Sequence, residues 1–242
     1  MYEPLPQKIL VIEPHPDDLI LMCGGLAAKV STNGGHVYAV TITGGGGAAA
    51  GKEQDGAMTL ERKTESEEAD EILGVEKREW LGYETRDAFG SKSKELYETL
   101  MGKVRHYNPD IVITTYDDKE NGVHPLHMWC REYVPPALYQ AGENIRREDF
   151  GEPVYPSLWV GENPRKKLLP LSTPKIYVNI SGVWIQYKVM ALDKQKSQKE
   201  ILGKDISAKV KSLAAMRADE VLENIEYAEA FEEIAVYPRA VY

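Results

Sequence analysis

Lys8-Ile9-Leu10-Val11-Ile12-Glu13, followed at once by Pro14-His15-Pro16-Asp17-Asp18, is the stretch on which the reading of this chain turns. The unbroken apolar centre, Ile9 to Ile12, suits a strand buried on both faces, the kind found in parallel sheets. Apolar residues resume at Leu19, and residues 19–30, rich in Leu, Met and Ala, read as a helix. Strand, polar turn and helix then recur. Strands are expected at 36–43, 78–83 and 110–116, and helices at 59–73 and 92–107. Leu60, Ala69 and Leu73 supply the apolar stripe of the 59–73 helix, and Gly74 suits the position just past its end. Repeated alternation predicts an α/β fold: a Rossmann-like parallel sheet, with room for mixing at one edge, covered by helices on both faces. Ligands of such sheets bind beyond the carboxyl ends of the strands.

Past Tyr133 the pattern continues less regularly. Strands are expected at 157–161 and 175–180, and helices at 183–198 and 206–224. The Pro- and Gly-containing stretch 152–174 is a long connection, a type that often borders a site. We expect one domain over 1–242. With 43% hydrophobic and 28% charged residues in 242, the chain can bury a core without a disulfide or metal to hold it. Lys and Arg number 29 against 38 Asp and Glu, a net charge of −9, which argues against nucleic acid and anionic membrane surfaces as partners. No apolar run approaches the ~20 residues of a membrane span, and the first residues lack the pattern of a secretory signal. Two cysteines, Cys23 and Cys130, in no CxxC pattern, suit a reducing cytoplasm.

The chemistry-bearing residues fall just past two of the strands. His15 offers an imidazole, and Asp17 and Asp18 offer hard oxygens, a set that suits zinc. Adjacent side chains of an extended turn diverge, so one carboxylate can bind a metal with His15 while the other faces a water. The two Asp also suit capping of the helix that follows. The second group is His124-Pro125-Leu126-His127, beyond the 110–116 strand. Pro125 fits the first position of a helix, which makes His124 its N-cap and puts His127 near the same face. A helix N-terminus disfavours the protonated imidazole. Of five histidines, three lie in these two motifs. His15, Asp18 and His127 would make a His₂Asp site with a fourth position left for water, the arrangement of catalytic zinc.

HPDD after an N-terminal strand, with HPLH later, resembles the LmbE/PIG-L family of zinc-dependent N-deacetylases. The likeness extends to Arg62-x-x-Glu65 with Ala69 and Leu73-Gly74, to Tyr83 and Arg86-Asp87, and to Tyr227-Ala228-Glu229-Ala230-Phe231. It implies one Zn²⁺ held by His15, Asp18 and His127, with Asp17 as general base. It implies His124 as the residue that stabilises the oxyanion and protonates the leaving amine, and Arg62 and Asp87 as substrate contacts. The implied substrate is a small N-acetylglucosamine-type amino sugar or glycoconjugate, and the implied assembly a homo-oligomer. The alternatives are an amidase for another acylated sugar conjugate, such as a thiol-sugar or an antibiotic intermediate, and a sugar-binding relative without turnover. Two positions depart from the family pattern. Leu19 stands where the family has Glu, which implies a change behind the ligands rather than loss of metal. Leu126 replaces the acid of HPDH, and Asp117 or Asp118 is positioned in sequence to take over its task.

Other features have plainer readings beside the functional one. Arg62 and Glu65 have the spacing of a surface i,i+3 pair, and Asp87 that of a turn residue. Cys130 could face the metal but suits a small core residue. Trp80, Trp129, Trp159 and Trp184 suit the core, with one or two able to stack on a sugar. The glycines at 44–47 do not open directly into a helix as a phosphate loop requires, and suit the wall of a cleft with room for a bulky substrate.

Overall fold

The computed structural model describes residues 4–44, 56–84, 87, 90, 92–115, 124–164, 174, 176–198, 202–221 and 224–237. The opening apolar run forms β1 (Lys8–Glu13), with every residue from Ile9 to Glu13 buried. It pairs in parallel with β2 (His36–Thr41) on one side and with β4 (Ile111–Thr115) on the other. Outside these lie β3 (Lys77–Trp80) and β5 (Ser157–Gly161), also parallel. The far edge is mixed: β7 (Ala228–Ile234) runs antiparallel to both β5 and β6 (Ile176–Asn179). The sheet order is β3-β2-β1-β4-β5-β7-β6.

Helices cover both faces, because the alternating side chains of a buried strand need apolar partners above and below. Ile9 and Val11 share one core with α1 (Asp18–Thr32), α2 (Gly56–Leu73), α6 (Val183–Lys194) and α7 (Ile206–Asp219). Leu10 and Ile12 share the other with α3 (Ser93–Tyr107) and α4 (Pro125–Gly142). A short α5 (Arg147–Phe150) follows α4. From β1 the chain winds outward through β2 to β3, and from β4 it winds the opposite way to β5. The gap between β1 and β4 is therefore the switch point of the sheet, where ligands of this architecture sit. Among the described residues, no helix is long and apolar enough to cross a membrane.

Two local expectations are corrected. Leu60 is 67% exposed and takes no part in the inward stripe of α2. That face is instead Arg62, Glu65, Ser66, Ala69, Asp70 and Leu73, all buried. The helical period holds, but four of its six positions carry polar groups with partners elsewhere in the fold. The second is the helix expected at 206–224, which ends at Asp219; β7 beyond it has no counterpart among the expected strands, because its three glutamates break any apolar run.

Helix α1 is also not continuous. Cys23 has φ −141° and ψ 22°, which breaks the helix into a first turn and a longer second part. The glycines that follow permit close approach: a Cβ on Gly25 would lie 2.8 Å from side-chain carbons of Ile180. Gly25→Ala should therefore destabilise the fold by about 1–3 kcal/mol, the usual cost of overpacking, read as a lowered urea midpoint. A midpoint equal to wild type would mean that Ile180 yields freely.

Candidate metal centre

The turn after β1 is built from a residue the motif reading passed over. Glu13 is buried, and its Oε2 accepts the Leu19 N–H at 2.6 Å. Its Oε1 accepts from Thr41 Oγ1 at 2.7 Å and from Arg78. Glu13 thus caps α1, and Asp17, at the N-cap position, makes no side-chain cap bond. The two aspartates are released for other work. The turn is pinned by Asp18 N–H to the His15 carbonyl (3.2 Å) and by Thr43 Oγ1 to the Pro14 carbonyl (3.1 Å).

From the other side of the switch point, α4 begins at Pro125 with His124 as its N-cap, as the sequence predicts. His127 then faces the β1 turn. His15 Nδ1 lies 3.1 Å from Asp18 Oδ2, His127 Nε2 lies 3.3 Å from the same oxygen, and the two ring nitrogens are 3.3 Å apart. Zinc bonds of about 2.0–2.1 Å at tetrahedral angles place neighbouring donors about 3.3 Å apart. The three atoms therefore already stand at the edge lengths of a tetrahedral face, and the N,N,O donor set fits zinc. His124 packs edge-on to His15, ring centroids 4.5 Å apart, and each of the three histidines has a ring nitrogen within 4.8 Å of the others.

Electrostatics match the donor roles. Burial brings the His15 imidazole down to about 3 in spite of Asp18 beside it, so His15 is neutral, the form that a metal needs. Burial alone would raise the Asp18 carboxyl, but the His127 and His15 rings hold it well below the usual carboxylate range. Asp18 has a second partner that the sequence did not reveal: Asn163 Nδ2 donates to its Oδ1 at 2.9 Å. Asn163 lies just past β5, at the same end of the sheet. Its neighbour Glu162 is gripped by Arg217 of α7 through Nε at 3.0 Å and through Nη2, which fixes the segment that carries Asn163.

Asp17 points elsewhere from Asp18, as adjacent residues of a turn must. Arg62 Nη2 donates to Asp17 Oδ1 at 3.1 Å, and both side chains are buried. Burial lowers the Arg62 guanidinium to about 10, against the pull of Asp18 and Glu65, so it stays charged at neutral pH. The surface pairing with Glu65 does not occur: Arg62 is 2% exposed, and Glu65 accepts from Ser197 N–H and Oγ at 2.7 and 2.6 Å. Asp87 has the turn role: its Oδ2 accepts the Glu84 N–H at 3.0 Å and lies 3.4 Å from Lys92 Nζ. Leu19 and Leu126 are both fully buried, and Leu126 packs with Trp129 in the apolar core beneath α4. Cys130 is a core residue whose thiol burial pushes well up, and among the described residues it does not join the cluster of His15, His124 and His127. Trp129 and Trp159 are core residues as well. Arg86, Asp117, Asp118 and the glycines at 45–47 lie outside the described residues.

A doubly wound α/β sheet with a nitrogen–oxygen donor cradle at its switch point defines the class of protein. Residues 10–138 match the PIG-L family, described as GlcNAc-PI de-N-acetylase, and the chain belongs to that family. It is 28% identical over 210 residues to the probable N-acetyl-alpha-D-glucosaminyl L-malate deacetylase 2 of Bacillus cereus, a match spanning 85% of this chain and 90% of that one. The solved N,N'-diacetylchitobiose deacetylase of Pyrococcus horikoshii superposes with a TM-score of 0.76 at 23% identity, covering 96% of this chain and 85% of that one. GalB, the 4-carboxy-2-hydroxymuconate hydratase of Pseudomonas putida, superposes equally well, with TM-score 0.76, 20% identity and coverage of 97% and 98%. Fold alone thus does not decide the chemistry; the groups at the site do.

Proposed function

We propose that this protein is a zinc-dependent hydrolase that removes the N-acetyl group from an N-acetylglucosamine-type amino sugar or glycoconjugate and releases acetate. The observation that carries the reading is the His15, Asp18 and His127 donor triangle with Asp17 beside it. Its sequence relatives include proteins named as a probable N-acetyl-alpha-D-glucosaminyl L-malate deacetylase and a diacetylchitobiose deacetylase, and also one named as a mycothiol S-conjugate amidase. When bound, zinc supplies a Lewis acid that activates water and polarises the acyl carbonyl.

The chain's own groups do the rest. Asp17, steered by Arg62, takes the proton from the attacking water. His124, solvent-accessible at the start of α4, faces the carbonyl oxygen, steadies the charge that develops there and passes a proton to the departing nitrogen. The carbon–nitrogen bond breaks, and the products are the free amine and acetate. By the family resemblance we assign Asp87 a sugar hydroxyl as its partner, and we assign specificity to residues 84–91 and 143–174. We read the partner as a small molecule met in the cytoplasm.

The test is acetate and free-amine release by the zinc-loaded protein across N-acetylglucosamine, its glycosides and its acidic conjugates. Equal release of both products from one of these is expected. Release only from other acylated thiol-sugar conjugates would move the protein to the amidase alternative. Zinc bound with no turnover on any of them would leave a sugar-binding protein. A smaller effect checks the support of the metal: Asn163→Ala should weaken zinc binding by about 10–100-fold, the usual loss when a partner of a ligating carboxylate is removed. Competition with a chromophoric chelator measures it, and unchanged affinity would show that Asp18 needs no such help.

A further inference from the structure

The break in α1 is spanned by one buried ion pair. Past the break, Glu229 of β7 accepts the N–H groups of Gly25 and Leu26, at 2.9 Å on Oε1 and 2.7 Å on Oε2, as a capping side chain does at a helix start. Before the break, the Leu21 carbonyl accepts from Lys188 Nζ of α6 at 2.8 Å. Lys188 Nζ also lies 2.6 Å from Glu229 Oε1, so the pair closes on itself. Their side chains are 5% and 4% exposed. Gly24 leaves room for this approach, since a Cβ there would lie 3.2 Å from Lys188 Cγ.

We propose that Lys188 and Glu229 are positioning residues that hold the two parts of α1 at the angle which brings Asp17 and Asp18 to the metal centre. The proposal rests on the metal site put forward above. A straight helix would need neither charge, and a buried ion pair commonly stabilises a fold no better than apolar side chains of the same size. What the pair secures is direction. The first part of α1, from Asp18 to the break at Cys23, is little more than one turn, too short to hold its own course. It is held at the front by Glu13 on the Leu19 N–H and at the back by Lys188 on the Leu21 carbonyl. Asp18 opens this turn and Asp17 is its N-cap, so the two clamps set where both carboxylates stand relative to His127 on α4.

Cobalt(II) is the probe, because its visible absorption reports coordination geometry as well as affinity. In Glu229→Gln, cobalt affinity is expected to fall about 10–100-fold, in line with other residues that support metal ligands, and the unfolding temperature to drop because Lys188 loses its counter-charge. In the double variant Lys188→Met/Glu229→Gln no charge is stranded. Its unfolding temperature should return towards wild type, while cobalt affinity stays at least about tenfold down and the absorption band changes. A double variant with wild-type affinity and spectrum would overturn the proposal. So would a loss of affinity that merely follows the folded fraction in each variant. Wild-type protein that takes up no cobalt would overturn the metal site itself and the purpose of the clamp with it, a result distinct from failure of the clamp alone.

Discussion

Asp17→Asn should leave the metal in place and remove turnover. Acetate release is expected to fall about 10²–10⁴-fold, the contribution of a positioned general base. The substitution keeps the shape of the side chain and an oxygen for Arg62 Nη2, now 3.1 Å from Oδ1. It removes only the ability to take a proton. Asp17 is outside the triangle of His15, Asp18 and His127, so zinc per chain should match wild type. One cost accompanies the change: Arg62 is buried, and loss of its partner's charge can cost about 3–5 kcal/mol. The nearby charges of Asp18 and Glu65 offset part of that. Thermal unfolding measured beside activity and zinc content separates the effects. A folded, zinc-loaded variant that keeps a tenth or more of the wild-type rate would show that another group takes the proton.

His127→Ala should empty the site. Metal content is expected to fall from near one zinc per chain to near none after equal exposure to zinc and a desalting step. Two donors from one turn, His15 and Asp18, would remain, and zinc held by two protein ligands is easily lost. The stability that zinc lends should vanish with it. At free zinc about a thousandfold above Kd the gain in wild type is about 4 kcal/mol, read as a rise in unfolding temperature that the variant would lack. The variant should still fold, since His127 belongs to neither apolar core. A full zinc equivalent in the variant would show that the ligand set is wrong. His124, with a ring nitrogen within 4.8 Å of His15, would then be the next candidate.

The parts of this molecule that were legible in its sequence are those where local pattern and tertiary position agree. An unbroken, β-branched apolar run such as Ile9 to Ile12, closed by a Pro-containing turn, suits a core strand, and polar residues at its carboxyl end then lie at the mouth of the sheet. The same holds for His124 and His127 after β4, where Pro125 marks the helix start. What stayed hidden depends on partners distant in sequence. Glu13 closes an apolar strand, and nothing local says that its carboxylate caps α1. Asn163 sits in a connection without periodicity and gains meaning only from Asp18, 145 residues earlier. The inward face of α2 has the right period and the wrong polarity, because its partners are Asp17 and the Pro16 carbonyl at the site, Ser197 beyond α6 and Arg78 of β3. The break at Cys23 lies in an apolar stretch that reads as one helix, and the groups that make the break tolerable come from α6 and β7.

The place of β7 in the sheet bears on how the protein is made. Among the described residues it is the last strand, yet it is inserted between β5 and β6, both of which precede it. During synthesis, every donor of the metal centre has left the ribosome before β7 exists. Until that strand arrives, β5 presents an open edge and Lys188 lacks its counter-charge. A nascent chain therefore carries the motifs of His15–Asp18 and His124–His127 long before it has the angle in α1 that sets them against each other. Completion of the last strand closes the sheet and sets the site in one event, so a chain broken off early exposes an edge that invites aggregation and clearance instead of working as a poorly formed enzyme.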